Sequence, residues 1–60
     1  MEELMKVLEQ LEERDRNLIR MRYINGCTLN ETAEALGMTP AETSRRERVL
    51  LVFIQKQMRK

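Results

Sequence analysis

Sixty residues carry 11 Lys and Arg against 10 Asp and Glu, a formal net charge of +1, with no His, no Trp and one each of Cys, Tyr and Phe. A chain this short builds one domain with a thin core, and a lone Cys without His argues against an internal disulfide or a zinc site, so no metal and no cofactor are expected. No stretch is apolar for the roughly 20 residues of a membrane span, and none has the pattern of a signal peptide, so the expected setting is the cytoplasm, where a free thiol persists.

The composition, rich in Glu, Arg, Leu, Met and Ala, favours helices over strands. Leu4, Val7, Leu8 and Leu11 fall on one helical stripe, which predicts a first helix over 2–11, with Glu2 and Glu3 favourably placed in its first turn. No helix breaker follows, so a short turn near Glu12 is inferred without a local signal. A second helix over 13–25 should turn Leu18, Ile19, Met21, Tyr23 and Ile24 inward and leave a basic rim at Arg16, Arg20 and Arg22. Asn25-Gly26 stops it, and Cys27 reads as a small, partly buried filler in the connector.

From Thr28 onward the start and stop signals are strong. Thr28 is followed three residues later by Glu31, and Thr39 three residues later by Glu42, two capping boxes eleven residues apart. Pro40 suits the first helical position after the second cap, and Gly37 can end the intervening helix in the left-handed conformation. These signals predict helices over 29–36 and 40–58, the first packing Leu29, Ala33 and Leu36 inward and the turn burying Met38. The last helix should present Thr43, Leu50, Leu51 and Ile54 to the core, with Arg46 or Glu47 at the rim. The expected fold is all-α: four helices containing a helix-turn-helix, with a long C-terminal recognition helix. Two helices joined by a tight Gly-containing turn are the pattern with which many proteins enter the major groove of DNA.

Charge distribution supports that pattern better than net charge does. Six acids stand against Lys6 and Arg14 up to Asp15, whereas six bases stand against Glu47 alone from Arg45 to the C-terminus. The basic end coincides with the second helix of the motif. Within it, Val49-Leu50-Leu51-Val52-Phe53-Ile54 is apolar on every side of the helix, more than a domain this small can cover. Val49, Val52, Phe53 and Gln57 at its edge are therefore expected to meet a protein partner.

The runs R-x-R-Y-I-N-G and T-L-N-E-T-A-E-A-L-G-M-T resemble region four of bacterial sigma factors, their C-terminal helix-turn-helix domain, over about Leu11 to Leu51. Phage regulators that borrow the domain are equally compatible. The resemblance implies binding of an upstream promoter element and of RNA polymerase. By position, it implies phosphate contacts at Arg22 and Thr28, and a base-reading face at Pro40, Ala41, Ser44 and Arg45. The family usually places long polar side chains where Pro40 and Ala41 stand, and neither of these can make the bidentate hydrogen bonds that discriminate bases. Arg45 can, and Ala41 can touch a thymine methyl. Thr32 and Thr43 replace the usual Ile or Val, with hydroxyls able to bond the backbone one turn earlier.

Two functional classes follow. In the first, double-stranded DNA docks on Arg16, Arg20, Arg22, Arg46, Arg48 and the C-terminal bases, with readout by Ser44, Arg45 and Arg48. In the alternative, the same fold is a protein-interaction module whose partner is RNA polymerase, an anti-sigma protein or a second copy in a homodimer. An enzyme is not expected: there is no His and no nucleophile–base pair, and 60 residues in helices offer little pocket for a small-molecule substrate.

Overall fold

The computed structural model describes residues 2–59. It is all-α, with α1 over Glu2–Glu9, α2 over Glu13–Ile19, α3 over Leu29–Leu36 and α4 over Pro40–Met58. A five-residue π-helical turn, Arg20–Ile24, continues α2. Nineteen residues at 1.5 Å each give α4 a length of roughly 28 Å, most of the 33 Å long axis of the molecule. The other helices are folded against it, α1, α2 and α3 each packing on α4. No described helix is long and apolar enough to cross a membrane.

The core is a small aliphatic cluster. Val7 and Leu8 of α1, Leu18 and Ile19 of α2, and Leu50 and Ile54 of α4 are buried, with Leu4, Leu11, Leu36, Leu51 and Phe53 packed around them. Each buried side chain contributes about 1.5–3 kcal/mol. Helix α1 closes earlier than its apolar spacing suggests. Gln10 N–H bonds Val7 O and Leu11 N–H bonds Leu8 O, both at 3.0 Å. These tighter turns end the helix and keep Leu11 against the core. Glu12 then starts α2 from an extended conformation without a side-chain cap, which is why no cap signal marks the turn.

The expected regular helix over 13–25 changes form halfway. Asn25 N–H reaches Arg20 O five residues back, and Cys27 N–H reaches Met21 O at 2.8 Å, with Gly26 closing the turn at φ 74°. The wider turn breaks the 3.6-residue phase set by Leu18 and Ile19. Consequently Tyr23 and Ile24, expected inward, are 52% and 47% exposed, and Met21 is half-buried.

The helix-turn-helix is built as its signals require. In both capping boxes the Thr hydroxyl accepts the N–H three residues on and the Glu carboxylate accepts the cap's own N–H, at 2.8–3.1 Å. Gly37 adopts φ 68°. Its N–H bonds Glu34 O at 3.3 Å and Met38 N–H bonds Ala33 O at 2.9 Å, the paired bonds of a Schellman ending. Met38 is half-buried rather than buried. Thr32 and Thr43 are fully buried, and each hydroxyl donates to the carbonyl four residues back at 2.9 Å.

Candidate nucleic-acid interface

Helix α4 sorts its residues by direction. Thr43, Glu47, Leu50 and Ile54 follow one another at helical spacing and are buried, whereas Ala41, Arg45, Arg48 and Val52 form the opposite, exposed stripe. Pro40 is also exposed, and Ser44 is half-buried at the boundary. Among the described residues Arg45 and Arg48 make no ion pair. Their guanidinium groups therefore stand on the outward face of the second helix of the motif without a direct carboxylate contact among the described residues.

Their neighbours Arg46 and Glu47 are used differently. Arg46 forms a bidentate pair with Asp15 of α2, Nε to Oδ1 at 2.9 Å and Nη2 to Oδ2 at 2.6 Å. Asp15 is only 5% exposed. The hydrogen bonds from Arg46 hold the Asp15 carboxyl below its ordinary range against the opposing effect of burial, and push the Arg46 guanidinium further up. Burying a carboxylate without such a partner is strongly unfavourable, so this pair fixes α2 against α4. Arg46, expected among the DNA contacts, is thus committed to a structural tie, although its side chain remains 45% exposed.

Glu47 is buried, not at the rim, because the π-helical turn supplies its partners. Arg22 Nε donates to Glu47 Oε1 at 3.1 Å, and the Tyr23 hydroxyl donates to Glu47 Oε2 at 2.5 Å. The Glu47 carboxylate raises the Tyr23 pKa above its usual value, since it favours the protonated phenol. Arg22 Nη1 also donates to Cys27 O at 2.9 Å, bracing the connector before α3. Arg22, implied by resemblance to touch phosphate, therefore has two of its donors directed into the protein. The carbonyl contact fits the filler role of the half-buried Cys27.

A shallow cleft of about 260 Å³ lies where the π-helical turn, α3 and α4 meet, lined by Arg22, Leu29, Ser44, Glu47, Arg48 and Leu51. Ser44 and Arg48 thus sit over the Glu47 cluster, and Arg48 leans on the same wall as Arg22. Thr28, the other implied phosphate contact, is exposed at the start of α3. Its backbone N–H is already taken by Glu31, so only the hydroxyl proton remains for an outside acceptor. At the start of α4, Glu42 accepts from Thr39 N–H and from its hydroxyl. Those bonds, the backbone one first, keep its carboxyl below the ordinary range.

Arg20 is exposed and Arg16 half-buried on α2 and its continuation, and Lys56 and Arg59 are exposed beyond the core of α4. Lys60, expected among the C-terminal contacts, lies outside the described residues. Of the four residues expected to meet a protein, Val49 and Val52 are 56% and 48% exposed. Phe53 instead packs against the core and is half-buried. Gln57 is half-buried beside Glu3, Lys6, Gln10 and Met58, facing α1. The apolar run is therefore divided: Leu50 and Ile54 form core, Leu51 and Phe53 its margin, and Val49 and Val52 remain on the surface.

Sequence reasoning missed two members of this arrangement, Asp15 and Glu47. A signal was available for both. Glu47 is four residues after Thr43 and three before Leu50, in phase with the core stripe, and Asp15 is three before Leu18.

The model of the family described as Sigma-70, region 4 matches residues 1–46. Comparison with curated proteins and with solved structures gave no match. The family match takes in α1, α2, the π-helical turn, α3 and the first turns of α4, and ends before Val49 and Val52. It covers well over half of the chain and coincides with the helix-turn-helix seen in the fold, so the chain belongs to the sigma-70 region 4 family.

Proposed function

We propose that this domain binds double-stranded promoter DNA with α4 in the major groove, Ser44, Arg45 and Arg48 facing base edges and Arg16, Arg20, Lys56 and Arg59 approaching phosphates. Membership in a family of DNA-binding transcription modules makes DNA the general partner. The observation that carries the specific reading is the sorting of adjacent charges on α4. Arg46 and Glu47 are tied inward while Arg45 and Arg48 stand outward with no ion-pair partner among the described residues. A guanidinium in the groove makes its best contact with guanine O6 and N7, worth about 1–3 kcal/mol of discrimination. The thinness of the domain limits the number of phosphate contacts, so useful affinity calls for help from RNA polymerase or a second copy.

Fluorescence anisotropy of a labelled promoter duplex, titrated across salt, tests the reading. Arg45→Ala and Arg48→Ala should each weaken binding, by about 5- to 150-fold for a side chain that reads guanine. The logarithm of affinity should fall linearly with that of salt concentration. Wild-type protein with no salt-dependent affinity at low ionic strength would remove DNA binding from consideration.

The alternative is a protein-interaction module of the same fold with little base readout. Val49 and Val52, exposed and beyond the family-matched span, favour it. Sedimentation addresses the self-association form: a strict monomer at high concentration counts against a homodimer, leaving polymerase or an anti-sigma protein as the partner on this face.

A further inference from the structure

From Arg45 onward the exposed residues of α4 include no acid, since Glu47 is buried. Four of them, Arg45, Val49, Val52 and Lys56, follow one another at steps of four, three and four. That spacing lays them along one side of the helix in a stripe about 16 Å long. Val49 and Val52 are 56% and 48% exposed. The stripe is therefore apolar at its centre and basic at both ends. Both valines lie beyond residues 1–46, the span that the family model matches.

Charge decides what can cover this stripe. Two copies of α4 packed antiparallel about Val49 and Val52 would set Arg45 of each against Lys56 of the other, and like charges so juxtaposed repel. The stripe calls instead for an apolar group among carboxylates, and the chain carries one. From Glu3 to Glu13 the exposed charged residues are Glu3, Glu9, Glu12 and Glu13 against Lys6 alone. Met5, 47% exposed, stands one helical turn before Glu9.

These two faces belong to different sides of the molecule. Helices α1 and α4 turn Val7, Leu8, Leu50 and Ile54 into one shared cluster, so their exposed sides face away from each other. A single partner cannot engage both. The contact is then heterologous, α1 of one copy on α4 of the next, with a free face left at each end. A helix face about 16 Å by 10 Å is far below the roughly 800 Å² per partner of a stable complex, so the association is weak.

We infer that a second copy of this chain docks Met5, Glu9 and Glu12 on the stripe of Arg45, Val49, Val52 and Lys56, and that copies associate head to tail. The inference rests on the self-association form of the alternative above, gives it a geometry, and is independent of DNA binding.

Sedimentation equilibrium of the full chain, up to about 1 mM, tests it. The average mass should climb past that of a dimer as concentration rises and should fall when salt screens the charges. Glu9→Lys/Glu12→Lys sets base against base, and Val49→Asn/Val52→Asn removes the apolar centre. All four side chains are exposed, and circular dichroism checks that both variants fold. Each variant alone should associate at least about tenfold more weakly. Mixed, they should form a one-to-one dimer and nothing larger, because each supplies the face that the other lacks. A dimer that survives Glu9→Lys/Glu12→Lys overturns the head-to-tail contact and leaves self-association standing. A mixture that stays monomeric while the wild type associates overturns it as well. A strict wild-type monomer at about 1 mM removes both.

Discussion

Thr32→Val and Thr43→Val are expected to leave the stability of the domain nearly unchanged, and the structure gives the reason. Both side chains are 0% exposed. Each hydroxyl donates to a carbonyl that also accepts the residue's own backbone N–H, Thr32 N to Thr28 O and Thr43 N to Thr39 O, both at 2.9 Å. Exchanging the hydroxyl for a methyl keeps the side-chain shape and orphans no acceptor. The lost hydrogen bond is worth about 0.5–1.5 kcal/mol. That net value already includes the hydroxyl's desolvation, and a buried methyl adds about 0.8 kcal/mol in return. The two nearly cancel, so each exchange should change stability by less than about 1 kcal/mol. For a domain of this size 1 kcal/mol moves Tm by about 4–8 °C. Thermal and urea unfolding followed by circular dichroism measure it, with Thr43→Ser as the control that keeps the hydroxyl and loses packing. A Tm lowered by more than about 8 °C in Thr43→Val, with an unchanged urea slope, would refute the reasoning and show that the hydroxyl does more than satisfy itself.

The two ties on α4 give further expectations. Arg46→Met leaves the buried Asp15 carboxylate unpaired. It should lose about 2 kcal/mol, less than a fully buried pair because the Arg46 side chain is 45% exposed. Asp15 is held below its ordinary value of 3.8, so its contribution is complete above about pH 4 and is lost as the pH falls through the folded-state titration. Asp15→Asn should show a shallower loss of stability below that pH in acid unfolding, and an unchanged slope would contradict the pairing. Tyr23 is the only Tyr in a chain without Trp, so phenolate absorbance reports it alone. Its midpoint lies above 10.0 because of Glu47 and should drop toward that value in Glu47→Gln. Because the folded-state value is raised, this contact stabilises below pH 10 and is lost as pH rises beyond it; an unmoved midpoint would show that the hydroxyl is not bonded to the carboxylate.

What was legible in the chain was what is decided locally. The capping boxes at Thr28 and Thr39, the left-handed Gly37 and the back-bonded Thr32 and Thr43 each depend on residues within five positions, and all take the expected geometry. Features decided by contacts 24 or more positions away were not. Helical phase places Glu47 with the core stripe, but its partners Arg22 and Tyr23, which let a carboxylate stay there, arrive from the π-helical turn. Arg46 reads as a phosphate contact until Asp15 arrives from α2. The π-helical turn carries no sequence signal of its own, and it displaced Tyr23 and Ile24 from an extrapolated core stripe. At the candidate site, the exposed stripe of Ala41, Arg45 and Arg48 follows from helical periodicity alone, whereas the lack of an ion-pair partner for Arg45 and Arg48 among the described residues had to be seen. Phe53 was placed with the surface residues because an all-round apolar run does not say which of its faces the neighbouring helices cover.

The adjacency of the two ties has a mechanical meaning. Successive residues of an α-helix project about 100° apart, so Arg46 and Glu47 are held from two different directions, one by α2 and the other by the π-helical turn. Two tethers with different azimuths add to the core packing of Leu50 and Ile54 in defining the roll of α4 about its own axis. A helix so pinned presents Ala41, Arg45 and Arg48 at a fixed angle before any ligand arrives. The rotational freedom otherwise surrendered on docking has then already been removed by folding. Loosening either tether should leave Ala41, Arg45 and Arg48 chemically intact and blur the angle at which they are presented.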